Sequence, residues 1–110
     1  MNNPSLYKGI LRPIVIRLLE ENKKMYGFEI TREVKSLTAG RVKITEGALY
    51  PLLHSLEAEG VLESEQQFVD NRMRKYYKLT PRGKKVSEHS FGEITEFITH
   101  LQNIFNLKPA

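Results

Sequence analysis

The sequence predicts a mainly α-helical winged helix-turn-helix with a small β-hairpin, an α+β class, extended by a long C-terminal dimerisation helix. Three observations carry this. Apolar residues recur at helical spacing in three short segments before Gly60. Two β-leaning stretches around a turn follow, Val61 to Phe68 and Met73 to Leu79. A single long segment from Pro81 to about Asn106 then carries another helical seam. Helix, helix, helix, hairpin, long helix is the winged order. In helix-turn-helix proteins the second helix of the pair enters the major groove with its N-terminal part toward the bases. The expected division is residues 1–80 for the winged domain and 81–110 for the dimerisation helix, in one compact unit.

The first helix spans Ile10 to Asn22, with apolar residues at 10, 11, 14, 15, 18 and 19. Pro13 belongs in its first turn, where a missing N–H is tolerated. Residues 3–9 read as a frayed arm or an extra helical turn. The second helix runs from about Tyr26 to Leu37, with Ile30, Val34 and Leu37 facing inward, and Gly27 allows close backbone approach. The third runs from Thr45 to Glu59, with Gly60 as its C-terminal stop. Thr45 caps it, Glu46 favours its positive end, and Ile44 can pack on Leu49 as a hydrophobic staple. Its buried stripe is Leu49, Leu52, Leu53 and Leu56. Pro51 crowds the carbonyl of Gly47, so a local bend is expected. Val69 to Arg72 is the hairpin turn, and Tyr76 and Tyr77 point to opposite strand faces, one of them into the core. Thr80-Pro81 is a cap followed by proline at the first helical position.

Composition excludes several classes. There are 110 residues and no cysteine, so disulfides, thiolate metal sites and a cysteine nucleophile are out. Nothing at the N-terminus resembles a signal peptide, and Ile14-Val15-Ile16 is too short to span a bilayer. A cytoplasmic setting without membrane contact fits. His89 and His100 share a helix face but lie about 16 Å apart, too far to hold one metal ion. No nucleophile motif or Gly-rich phosphate loop is present, so neither enzyme chemistry, a metal nor a cofactor is expected.

Charge is more informative. The net charge is +4. Seven Lys/Arg fall between Arg72 and Lys85 (Arg72, Arg74, Lys75, Lys78, Arg82, Lys84 and Lys85) with no acid among them. A cationic hairpin beside an exposed helix suits a phosphate backbone and a groove, so double-stranded DNA is the expected partner. The candidate DNA contacts are Lys43, Thr45, Glu46, Gly47, Tyr50, Pro51 and His54 around the third helix, and Arg72, Arg74 and Lys75 on the wing. Residues 86–107 carry three acids and no base, which frees the last helix for another task. Its apolar seam at Phe91, Ile94, Ile98, Leu101 and Phe105, with Phe97 and Ile104 alongside, repeats by three and four. With Ile14 and Leu18 of the first helix it forms the expected homodimer interface.

Several pieces resemble the PadR family of transcriptional regulators: Tyr26-Gly27-Phe28-Glu29-Ile30, Glu46 to Leu53, Leu56 to Gly60, Val61-Leu62-Glu63-Ser64, and Arg74 to Gly83. Together they cover most of residues 10–85. The resemblance implies a winged-helix repressor that dimerises through its C-terminal helix and, in some members, leaves its operator when a small molecule binds. Such an effector would use the dimer interface, since no separate ligand domain is evident. Met25 stands where many members place a histidine. The chain also has no tryptophan, the residue on which some multidrug-sensing members stack planar drugs. The competing readings are a winged-helix protein–protein module without specific DNA binding, and a small-molecule binding protein in which DNA is incidental.

Overall fold

The computed structural model describes residues 7–107. The expected arm at residues 3–9 falls partly outside them, as do residues 108–110. Tyr7 and Lys8 are helical, and the Ile10 N–H donates to the Tyr7 carbonyl at 3.0 Å. Helix α1 is Leu11–Glu21, with Pro13 in its first turn. It buries Val15, Ile16, Leu18 and Leu19, so Ile16 joins the core from outside the expected stripe.

A short strand that local patterning did not reveal follows, β1 (Met25–Tyr26). It exists because β3 pairs with it, Met25 to Tyr77 and Tyr26 to Tyr76. Helix α2 (Gly27–Leu37) therefore starts one residue later than expected, and the Tyr26 N–H donates to the Glu29 carboxylate at 3.1 Å. Ile30 and Val34 are buried, but Leu37, expected inward, is 68% exposed. It lies at the edge of an apolar groove that no part of the described chain covers.

Helix α3 (Glu46–Ala58) opens on Thr45, whose hydroxyl accepts the Ala48 N–H at 3.2 Å. Pro51 sits inside it without breaking it. Leu49, Leu53 and Leu56 are fully buried, while Leu52 packs against the core from its margin. Gly60, at φ +79°, ends the helix in a conformation that disfavours other residues.

Strands β2 (Leu62–Val69) and β3 (Arg72–Leu79) form the hairpin, and the sheet order is β1-β3-β2, all antiparallel. Asp70 and Asn71 both have positive φ (50° and 66°), as a two-residue type I′ turn requires. Tyr77 is 1% exposed and half-exposed Tyr76 lies on the opposite face.

Helix α4 (Pro81–Ile104) has 24 residues, about 36 Å of helix. Its start is pinned. The Thr80 hydroxyl accepts the Gly83 N–H at 2.9 Å and donates to the Gly60 carbonyl. Gly83 is packed so closely that a Cβ there would fall on the carbonyl oxygen of Val61. Beyond Ser87 the helix loses cover, and Phe97 and Ile98 are 47% and 49% exposed.

Replacing Thr80 by Val removes the cap and the bond to Gly60, and is expected to cost about 1–2 kcal/mol in urea unfolding. Thr95→Val removes only a hydroxyl bonded to the Phe91 carbonyl on an exposed helix face. It should shift stability by less than about 0.5 kcal/mol.

Candidate nucleic-acid interface

The outward face of α3 presents Glu46, Gly47, Tyr50, Pro51 and His54, all exposed. Lys43 is exposed just before the cap. Because the Thr45 oxygen takes the Ala48 N–H, its O–H remains able to donate outward. Tyr50 has a second task. Its ring lies on Gly27, where an added Cβ would sit 2.5 Å from the phenol oxygen and 2.8 Å from the ring carbon bearing it. Burial, and then the Glu46 carboxylate, push the Tyr50 phenol above its ordinary value of 10.0. It therefore stays a protonated donor at neutral pH. The close approach expected at Gly27 is thus made by the exposed helix itself, which locks α3 to the start of α2.

On the wing, Arg72 is exposed and has no ion-pair partner among the described residues. Arg74 is half-buried, its guanidinium 4.6 Å over the Tyr26 ring. Tyr26 meets Tyr76 edge-on at 5.3 Å, and Lys24 lies 5.3 Å over Tyr76. No local pattern marks Tyr26 or Lys24 as a site residue, because only β1–β3 pairing brings them beside Arg74.

The uninterrupted basic run of the sequence is interrupted in space. Antiparallel register sets Glu63 opposite Lys78, and their charges are 3.5 Å apart. Lys75 lies 3.5 Å from Glu57 of α3, and Lys24 lies 3.3 Å from Glu65. The acids Glu57 and Glu59 are both engaged. Glu57 accepts from the Ser64 hydroxyl, and Glu59 takes two bonds of 2.9 Å from Arg12. Of Lys43 and the basic run from Arg72 to Lys85, the cations with no such partner among the described residues are Lys43, Arg72, Arg74, Arg82, Lys84 and Lys85. Among the described residues no group of three or more His, Asp or Glu could hold a metal ion. His89 lies 3.6 Å from Glu93.

The residues expected at the dimer interface divide. Phe91, Phe97, Ile98, Ile104 and Phe105 are 47–73% exposed, and Ile94 and Leu101 are half-buried. Ile14 is half-buried, but Leu18, at 7% exposure, belongs to the subunit's own core. Leu18 lines an apolar groove of about 350 Å³ between α1, the end of α2 and α4. Ile14, Leu37, Phe91 and Ile94 line the same groove.

Comparison with known proteins agrees with this architecture. The model of the "Transcriptional regulator PadR-like family" matches residues 15–89. Transcriptional regulator Rv3488 of Mycobacterium tuberculosis is 41% identical over 63 residues, 57% of this chain and 56% of that protein. The match thus spans little more than half of that relative's length. A transcriptional regulator from Clostridium thermocellum superposes with a TM-score of 0.75 at 26% identity, covering 93% of this chain and 95% of the other. A PadR family transcription regulator from hypervirulent Clostridium difficile does so at 0.70 and 28%, covering 90% and 97%. The winged fold with a long C-terminal helix is the fold of these neighbours.

Glu57 gives the joint between α3 and the hairpin a pH dependence. The Ser64 hydroxyl, and to a smaller extent Lys75, hold its carboxyl below the usual 4.5 against the opposing effect of burial. A depressed carboxylate contributes stability above its unfolded value and loses it as pH falls through the folded value. Ser64→Ala should therefore lower the urea midpoint at pH 7, and the gap from wild type should narrow at an acid pH well below the usual 4.5. An equal gap at both pH values would show that the bond does not depend on the charge.

Proposed function

The chain belongs to the PadR-like family of transcriptional regulators, and from that premise we propose that it is a homodimeric repressor that binds a palindromic operator in duplex DNA. Its relatives are regulators, not enzymes. One observation carries the proposal: the exposed face of α3 stands beside an arginine-bearing hairpin, on a subunit whose long helix is largely uncovered. In this reading Lys43, Thr45 and Arg72 bind phosphates, which fixes register and orientation. Tyr50 and His54 reach base edges or backbone in the major groove, with Gly47 and Pro51 on the approaching surface. Glu46 favours the helix terminus and can accept from a cytosine amino group. Arg74 is held over Tyr26 for the wing, whereas Lys75 must leave Glu57 to contribute.

Residues 81–110 serve as the dimerisation arm. An apolar seam of this size is unusual on a monomer surface, and pairing two such seams places two recognition helices roughly 34 Å apart on successive major-groove faces. Ile14 and the groove above Leu18 would receive apolar side chains of the second copy. A small-molecule effector, where one acts, would enter the same apolar space and release the operator. The work is that of the compartment that holds DNA, the cytoplasm; no helix among the described residues is long and apolar enough to cross a membrane. The pairing of Lys75 and Lys78 with acids favours, as a second reading, a winged protein–protein module without specific DNA binding.

Salt separates the two readings. If each subunit neutralises three or four phosphates, the dimer should show a log–log salt slope near about −6, from roughly −0.9 per contact. The probe is a duplex that the protein itself selects from a random pool, and a slope of zero, or no selection, leaves only the second reading. The dimer has a separate test. Ile98→Glu with Leu101→Glu should give a monomer in sedimentation at micromolar concentration and abolish tight binding to the selected duplex. A monomeric wild type that binds an isolated half-site at full affinity would refute the dimer.

A further inference from the structure

Phe68 and Met73 lie directly opposite each other across the hairpin, next to the turn, and are 67% and 59% exposed. They share the strand face that carries Gln66 opposite Lys75 and, deeper, Ser64 opposite Tyr77. This is the face turned to α3, since Tyr77 is buried and Ser64 bonds Glu57. Four residues beyond Ser64, Phe68 is carried about 13 Å further along the strand. The type I′ turn holds the two apolar side chains together at the wing tip. A solvated hairpin tip needs polar residues there, and the fold offers these two no cover.

Their neighbours identify the occupant. Gln66 and Lys75 flank the pair on the same face, and Arg72 follows the turn. The turn itself carries one acid, Asp70. Proteins that bend DNA from the minor groove combine Arg, Lys or Gln contacts with an inserted apolar side chain such as Phe or Met. Resting on the DNA-binding reading above, we infer that Phe68 and Met73 form an apolar wedge that enters the minor groove beside the recognition helix and partly unstacks one base step. The wedge gives the regulator a preference for steps that unstack easily, TA and CA/TG, at a position where it makes no base hydrogen bond.

The test uses the full chain and the duplex selected from a random pool, labelled at its ends for energy transfer and carrying 2-aminopurine at successive wing positions. Wild type should shorten the end-to-end distance and raise 2-aminopurine fluorescence at one step. Phe68→Ser with Met73→Ser should lose both signals and bind about tenfold more weakly, with an unchanged salt slope because no phosphate contact is removed. Arg72→Ala should lower the slope and keep the fluorescence change. Both residues are exposed, so unfolding does not confound the double variant, and circular dichroism verifies this. Wild-type binding without bend or fluorescence change, or wild-type affinity in the double variant, would overturn the wedge and leave DNA binding intact. Failure of wild type to bind any duplex would remove both. Altered sedimentation of the double variant without DNA would overturn the wedge in favour of a contact with a second copy.

Discussion

The joint at Gly60, Val61, Thr80 and Gly83 is the constraint on which the rest of the molecule depends. Here the exit of α3, the start of β2, the end of β3 and the start of α4 meet within one small cluster of bonds. The Thr80 N–H donates to the Val61 carbonyl at 3.0 Å, its hydroxyl donates to Gly60, and it accepts from Gly83. Gly60 is needed for its positive φ and Gly83 for lack of a Cβ. Two backbones pressed together at glycines leave little freedom of angle. The direction in which α4 departs is therefore fixed relative to α3, and in a dimer built on α4 the distance between two recognition helices would inherit that rigidity.

A second lock works at the other end of α3. The Tyr50 ring on Gly27 ties the exposed face of this helix to the start of α2, where β1 in turn ties Tyr26 to β3. The face proposed to meet DNA is thus braced by the same aromatic residue that it displays. Side chains held by packing present donors with little loss of rotamer freedom, which favours recognition over adaptability.

Electrostatics here are more local than a charge count implies. Exposed ion pairs of this kind contribute little to stability. Their effect is on where the field is left uncompensated. Lys75 and Lys78 are moderated by Glu57 and Glu63, while Arg72, at the tip side of the hairpin, is not. On the hairpin, uncompensated charge therefore remains at Arg72 and Arg74, close to where Phe68 and Met73 stand uncovered, while Arg82, Lys84 and Lys85 keep theirs at the start of α4.

The sequence by itself determined the class, the order of the helices and the hairpin, both threonine caps, the hairpin turn and the uncovered seam of the last helix. Each of these is a local signal: a period of 3.6 or 2, a capping hydroxyl, a residue tolerant of positive φ, and all act within a few residues along the chain. Only the tertiary structure decided what depends on strands and helices distant in sequence. Strand β1 exists because β3 lies beside it, so two residues with no period of their own became sheet. Leu18 went to the core and Leu37 to the surface, although both line the same groove between α1, the end of α2 and α4. Glu57, Glu59 and Glu63 found basic partners as many as 47 positions away, dividing a charge run that looked continuous. Periodicity gives the face on which a residue lies; only packing gives what that face meets.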